Sequence, residues 1–325
     1  MKKPTVRSHY LPQTYLKHFL HEGELFMYKK GEKFFNDSSL APDERILLVK
    51  GEEGLKNVGV ENNFYNPDLD GISSDDLEEI FQELGENDYD AAIAAIRELP
   101  IGSDIPSSIK DPLCLLMASM RIRTPLFKKE LEEMDTQMRQ HLMALNYERM
   151  NVEDVQRHVK EAVGHDISLE FAKKLKNSFV DKKYKLTYPN AYFIKHALCL
   201  VEEHVNIFQQ MTITIGKSTN RLFVTNDSPL VYFVPPQYVN FYNPPKGLVT
   251  SHCEVFFPLA KDLAVHLCWR KEKQEVKAAS RKFVNITNYN LSHNSLDYIF
   301  APMKIGELEK FTKEYIPYPF RFAIS

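Results

Sequence analysis

The spacing of apolar residues changes twice along the chain. Between Glu24 and Lys50, "ELFMYKK" and "RILLVK" flank a stretch from Gly31 to Asp43 rich in Gly, Asn, Asp, Ser and Pro, which predicts short strands. "NNFYNP" (62–67) reads as a turn into the next region. From about Ser73 to Met211 the spacing is helical. "SSDDLEEIFQELGE" opens with serines and acids, and Leu77, Ile80, Phe81 and Leu84 fall at i, i+3, i+4 and i+7, one stripe of a helix. Ala91, Ala92, Ala95 and Ile96 repeat the period, with Gly85 placed to divide the two parts. "KDPLCLLMASMRIR" is apolar nearly all round and predicts a buried helix, with Asp111 as cap and Pro112 in its first position. Thr124 and Pro125 repeat that device for the next helix. Shorter helices are expected at about 151–163 and 168–179, and a long one over 189–210.

After Met211 the pattern is that of strands. "MTITIG", "LFVTN", "LVYFV", "CEVFFPLA" and "LAVHLCW" are β-branched and aromatic, bounded by Asn, Asp, Pro and Gly. Closing helices are expected over roughly 282–299 and 304–313. Strands, then helices, then strands predict an α+β fold. Its central helical region (73–211) packs with a mainly antiparallel sheet, formed by the C-terminal strands (212–325) and the short N-terminal ones (1–72), in one interlocked domain over 1–325.

Charge narrows the functions. A net charge of -3 leaves no global basic field to hold nucleic acid by counterion release. Lys173, Lys174, Lys176, Lys182, Lys183 and Lys185 form a local cluster, as do Arg270, Lys271 and Lys273; a solvated helix face and a hairpin tip are the simpler readings. With 12 glycines and no Rossmann or P-loop pattern, a phosphate cradle of that type is not expected. HExxH, GxSxG and zinc-ribbon spacings are absent from the sequence. Cys114, Cys199, Cys253 and Cys268 each sit in an apolar run and read as buried free thiols, which suits a reducing compartment. The opening lacks the apolar core of a signal peptide, and no window is apolar enough to span a membrane, so a soluble, cytoplasmic protein is expected.

Several polar residues are out of place in apolar surroundings. In "RSHYLPQTYLKHF", a helix is expected to begin at Pro12 or just after, with His9 just before it. A histidine there can act as acid or base, since its ordinary pKa lies near ~6.5, or can make a structural hydrogen bond. In "LFVTNDSPLVYF", Asp227 stands at a strand end, able to orient a histidine or only to form a turn with Asn226. Arg123 ends the apolar helix before Thr124-Pro125, either complementing the helix dipole or forking onto a carboxylate or phosphate. His196, Cys199 and Glu203 fall at i, i+3 and i+7 with His204 beside them, a face a metal could use but without the paired spacing of known zinc helices. "VNITNYNLSHNSLDYIF" is rich in Asn for a helix: Asn285, Asn288, Ser292 and Ser295 form a polar stripe that faces water or lines a pocket.

Taken in order, these motifs resemble those of the domain of unknown function numbered 4238, a family spread through bacteria, phages and fungi. "HYLPQTYLKHF" (9–19) is similar to its HYxPQxYLxxF signature, and "NNFY" with the acids of "LEEIFQELGE" to its next step. "RTP" (123–125), "VTNDSPLV" (224–231), "FFPLAKDLAV" (256–265) and Asn288 with "SLDYIF" match its later motifs. The chain departs from it with Asn226 where Ser is commoner, Ser228 where Asn is commoner, and Ala260 where Ser is commoner. The resemblance nominates His9, Gln13, Tyr15, Arg123, Asp227 and Asn288 and implies no activity.

Three functions fit these residues. In the first, His9, Arg123 and Asp227 meet as catalytic groups in one pocket, with Gln13, Tyr15, Glu79, Glu86, Asn226 and Asn288 around the substrate. The reaction would be hydrolysis of a phosphodiester in nucleic acid or a nucleotide, and the phage and bacterial spread of the family suggests a defence or toxin-like effector. No cofactor is expected, and no ligand set argues for a divalent metal. In the second, the same pocket binds a nucleotide, RNA or a partner protein without turnover. In the third, the motifs are a structural network, whose loss at His9 or Asp227 costs roughly 2–4 kcal/mol.

Overall fold

The computed structural model describes residues 7–37, 39–65, 74–239 and 247–317; the expected turn at 62–67 and the helix start at Ser73 extend beyond them. The described residues divide into two compact units, one comprising residues up to 128 and from 190 on, the other 129–189.

The first unit opens with β1 (Arg7–His9), α1 (Gln13–Leu16), β2 (Glu24–Lys29), α2 (Glu32–Asn36), β3 (Ile46–Lys50), α3 (Gly51–Leu55) and β4 (Val60–Asn62). Then come α4 (Ser74–Phe81), α5 (Tyr89–Glu98), α6 (Ser107–Ile122) and the start of α7 (Pro125–Arg149). In the second unit, α8 (Val152–Val163) and α9 (Leu169–Val180) follow, capped by the side chains of Asn151 and Ser168, and close with α7 over Tyr147, Val155 and Ala172. Lys173, Lys174, Lys182, Lys183 and Lys185 are exposed, while Lys176 donates to the Met150 carbonyl at 2.6 Å.

The chain re-enters the first unit as α10 (Asn190–Cys199) and α11 (Val201–Gln210), the expected long helix divided at Leu200. It continues through β5 (Thr212–Lys217), β6 (Thr225–Asn226), β7 (Val231–Phe233), β8 (Glu254–Ala260), β9 (Leu263–Cys268), β10 (Glu275–Ala278), α12 (Arg281–Asn294), β11 (Tyr298–Ala301) and α13 (Lys310–Lys313).

The fold is α+β, with three sheets where one was expected. β1 and β4 form an antiparallel pair. One sheet has the order β10-β5-β9-β8-β7, antiparallel except for β10 against β5. The other, β3-β2-β11-β6, joins the chain's two ends: Phe26 faces Ala301 and Lys29 faces Tyr298. Pro258 lies in a strand with neighbours on both sides, where it cannot donate to a ladder; the register slips there, between Pro258 and Ala260. Tyr28, Val224, Phe256, Leu291, Ile299 and Phe311 form a core that draws on β2, β8, β11, α12 and α13.

Three sequence expectations need correction. α6 begins at Ser107 after Pro106, whose carbonyl takes the N–H of Ile109 and Lys110, so Pro112 lies inside the helix. The bond Pro112 cannot make falls on the carbonyl of exposed Ser108, which water can serve. The helix expected over 282–299 stops at Asn294, because Tyr298–Ala301 is taken into the sheet between β2 and β6. Cys114, Cys253 and Cys268 are buried free thiols, but Cys199 is exposed at the end of α10. Among the described residues no helix is long and apolar enough to cross a membrane.

Candidate functional site

Arg123 is the C-cap of α6 and is 1% exposed. Its guanidinium donates to the Glu86 carboxylate, to the His9 carbonyl at 2.5 Å and to the Tyr65 hydroxyl at 3.3 Å, and lies 4.7 Å from the Phe81 ring centre. Tyr65 in turn donates to the Arg123 carbonyl at 3.2 Å. Burial alone would favour the neutral form of the arginine; Tyr65 and Glu86 outweigh it and hold the cation. Each of the three guanidinium nitrogens therefore has a partner within the protein.

His9 ends β1 and is half-buried. Gln13, one turn on in α1, brings its amide nitrogen 3.2 Å from His9 Nε2. An amide nitrogen only donates, so Nε2 is the acceptor and the ring proton belongs on Nδ1. Burial, then the charges of Arg123 and Arg7, lower the His9 pKa below 6.5 against the opposing pull of the Lys56 backbone and Glu86. His9 is thus neutral at pH 7. Its backbone N–H donates to Glu78 at 3.3 Å. Glu79, the residue expected here, is exposed; one position along α4 moves a carboxylate to another side of the helix.

Asp227 belongs to a second network. It is 1% exposed, and its carboxylate accepts N–H bonds from Leu296 at 2.9 Å, Asp297 at 2.5 Å and Tyr298 at 2.8 Å. Burial and the charge of Asp297 push its pKa up to about 6 against those three bonds, which leaves it ionised at pH 7. Asn226 makes the Asx turn, accepting from Ser228 N–H at 2.9 Å while donating to the Leu291 carbonyl at 2.6 Å. Asn288 of α12 accepts from the Val224 N–H at 3.0 Å and donates to the Leu222 carbonyl at 2.9 Å. Tyr15 is buried between Thr225 Oγ1 (2.6 Å) and the Pro258 carbonyl (2.9 Å).

Sequence reasoning missed Lys30. It is fully buried and donates to the carbonyls of Ser292, His293 and Ser295 at 2.9, 2.8 and 3.1 Å. A cation at a helix C-terminus satisfies carbonyls that lack intrahelical partners and complements the dipole. Gly31 follows because a Cβ there would lie 2.0 Å from Asp297 Oδ1.

The expectation that His9, Arg123 and Asp227 meet in one pocket therefore needs correction. His9 and Arg123 share a network and Asp227 sits in another, with no hydrogen bond between the two among the described residues. Tyr10, next to His9 in the chain, is buried; burial, and then the charge of Asp227, raise its pKa.

A cavity of about 650 Å³ lies beside α12. The polar stripe foreseen on that helix forms one wall through Asn285, Asn288 and Ser292, together with Tyr289 and His293. Tyr289 is 60% exposed and stacks on His293 with ring centres 3.9 Å apart; His293 meets Phe311 edge-on at 5.1 Å. His21, Arg221 and Lys310 supply basic groups to the other walls, and Glu307 is the one carboxylate of the lining. Among the described residues no group of three or more His, Cys, Asp or Glu is arranged to hold a metal ion.

These features define an α+β protein with two buried polar networks and, beside α12, an open cavity of mixed polar and aromatic lining. The chain belongs to the family described as protein of unknown function (DUF4238), whose model matches residues 7–304. No curated protein and no solved structure matches it significantly.

Proposed function

We propose that this protein binds a nucleotide or RNA, without turnover, in the cavity beside α12. The cavity itself carries the reading. Its volume falls in the range of ~300–1,000 Å³ usual for small-ligand sites, and its lining combines amides, hydroxyls, basic groups and an exposed ring. The catalytic candidates count on the same side. Arg123 and Asp227 spend their charge on internal partners, and a group so engaged has little left for a developing transition state.

Asn285→Trp, an exposed position on the cavity wall, separates this reading from phosphodiester hydrolysis at His9. Nucleotides and short single-stranded RNA should bind the wild-type chain and the His9→Ala variant alike, by calorimetry or fluorescence polarisation, and fail to bind Asn285→Trp. Phosphodiester cleavage that survives Asn285→Trp and disappears in His9→Ala would reverse the assignment in favour of the hydrolase.

A further inference from the structure

We infer that the ligand of this cavity is a nucleotide ending in a single phosphate monoester, free or at the end of a single strand. The inference rests on the nucleotide reading above and names the part of the molecule that each wall takes.

The charge of the walls is small and unsatisfied. Arg221 and Lys310 are exposed, and neither side chain has a hydrogen bond or ion pair among the described residues; Lys310 only overlies the Phe311 ring, 4.9 Å from its centre. A phosphate monoester carries a charge of about −1.5 to −2 near neutral pH, which two cations match. The half-buried His21 adds a ring without a side-chain partner. Glu307 is an acceptor suited to a sugar hydroxyl, and its charge opposes a second and third phosphate. With one carboxylate in the lining, the walls have no acidic pair to bring a divalent cation to a triphosphate.

The other wall takes a ring. Tyr289 lines the cavity, is exposed and stacks on His293, and an exposed aromatic ring of this kind can stack any base. Asn285, four residues before Tyr289 and hence beside it on the helix, has a side-chain amide with no partner among the described residues; it can meet the donor and acceptor edge of a base. Asn288 cannot do so, since both ends of its amide are held by Leu222 and Val224. The volume suits one nucleotide rather than a duplex, in keeping with a net charge of -3.

The test is calorimetry on the full chain with AMP, adenosine, ATP, and hexa-adenylate RNA with and without a 5′-phosphate, repeated in Arg221→Gln, Lys310→Gln and Tyr289→Ala. All three positions are exposed, so the variants keep the fold. AMP, the 5′-phosphorylated strand or both should bind at least about tenfold more tightly than the unphosphorylated counterpart, the loss expected for one charged hydrogen-bond partner. Which of the two binds identifies the source. Arg221→Gln and Lys310→Gln should remove that advantage while leaving adenosine unchanged, and Tyr289→Ala should weaken AMP and adenosine together. Equal affinity within both pairs, AMP with adenosine and the phosphorylated with the unphosphorylated strand, or tighter binding of ATP than of AMP, overturns the monoester inference and leaves the nucleotide reading standing. Binding indifferent to all three substitutions, or no binding by any probe, overturns both.

Discussion

Lys30 and Asp227 grip one segment of chain from its two ends. The Lys30 ammonium holds the carbonyls of Ser292, His293 and Ser295, and the Asp227 carboxylate holds the N–H groups of Leu296, Asp297 and Tyr298. Between them α12 ends and β11 begins, so the pair decides where a helix becomes a strand. Because Ser292 and His293 also line the cavity, the clamp fixes one of its walls.

Removing either half leaves buried partners unmet. Lys30→Met and Asp227→Asn are each expected to destabilise the fold by about 3 kcal/mol in denaturant titrations. The double variant should cost less than the sum, since both act on one segment. A change below about 0.5 kcal/mol in either single variant would show that the segment holds without the clamp.

The buried ammonium also sets an alkaline signature. Burial lowers the Lys30 pKa from 10.5 to about 8, opposed by the charge of Asp227. Between about 8 and 10.5 the unfolded chain keeps this proton and the folded chain has released it, so this group's contribution to stability rises with pH across that window. The wild type minus Lys30→Met difference should show a gain of roughly 3 kcal/mol there. A flat difference would mean that Lys30 titrates at its ordinary pKa.

His204 gives an acid signature of the same sign. Burial and then the charge of Arg121 lower its pKa from 6.5 to about 4, while its ring nitrogen Nδ1 bonds the Leu200 carbonyl at 2.6 Å. The unfolded chain takes up the proton first, so stability from this group is complete above about 6.5 and is lost as pH falls toward 4. Asp227, with a raised pKa, contributes the opposite slope between 3.8 and about 6. The comparison must therefore be wild type against His204→Gln, and the difference should shrink by roughly 3 kcal/mol over that range. An unchanged difference from pH 7 to pH 4 would argue that His204 is protonated in the fold.

Arg123 supplies a test of which acid matters. Arg123→Lys should cost about 3 kcal/mol, because an ammonium cannot reach Glu86, the His9 carbonyl and Tyr65 together. Glu86→Gln should also be costly, and Glu79→Gln should fall within about 0.5 kcal/mol of wild type. Thermal melts of the three variants settle the order; equal losses for Glu79→Gln and Glu86→Gln would contradict the placement of Arg123.

Parts of this arrangement were legible in advance. Tyr15, Asn226 and Asp227 stood out because polar groups amid apolar neighbours must find partners if buried, and each has them. The Asn stripe of α12 was visible from its spacing; Asn285, Asn288 and Ser292 line the cavity, while Ser295 is buried and donates to the Ser292 carbonyl. Lys30 was invisible: "MYKKGEK" offers several lysines, and only β2's alternation, which puts Lys30 on the side of buried Tyr28, separates it from Lys29. Glu78 and Glu79 could not be told apart either, since which one faces His9 depends on where α4 lies against β1.

By itself the sequence determined most of the local elements, the α+β class and the family, because periodicity, turn residues and short motifs are properties of neighbouring positions. Only the tertiary structure decided which polar residues share a network, that Arg123 and Asp227 are spent on the protein's own backbone and side chains, and that an open cavity lies beside α12. Those facts depend on contacts between residues far apart in the chain, such as Lys30 with Ser292 and Arg123 with His9, and a linear pattern does not encode the direction in which a buried side chain meets its partner.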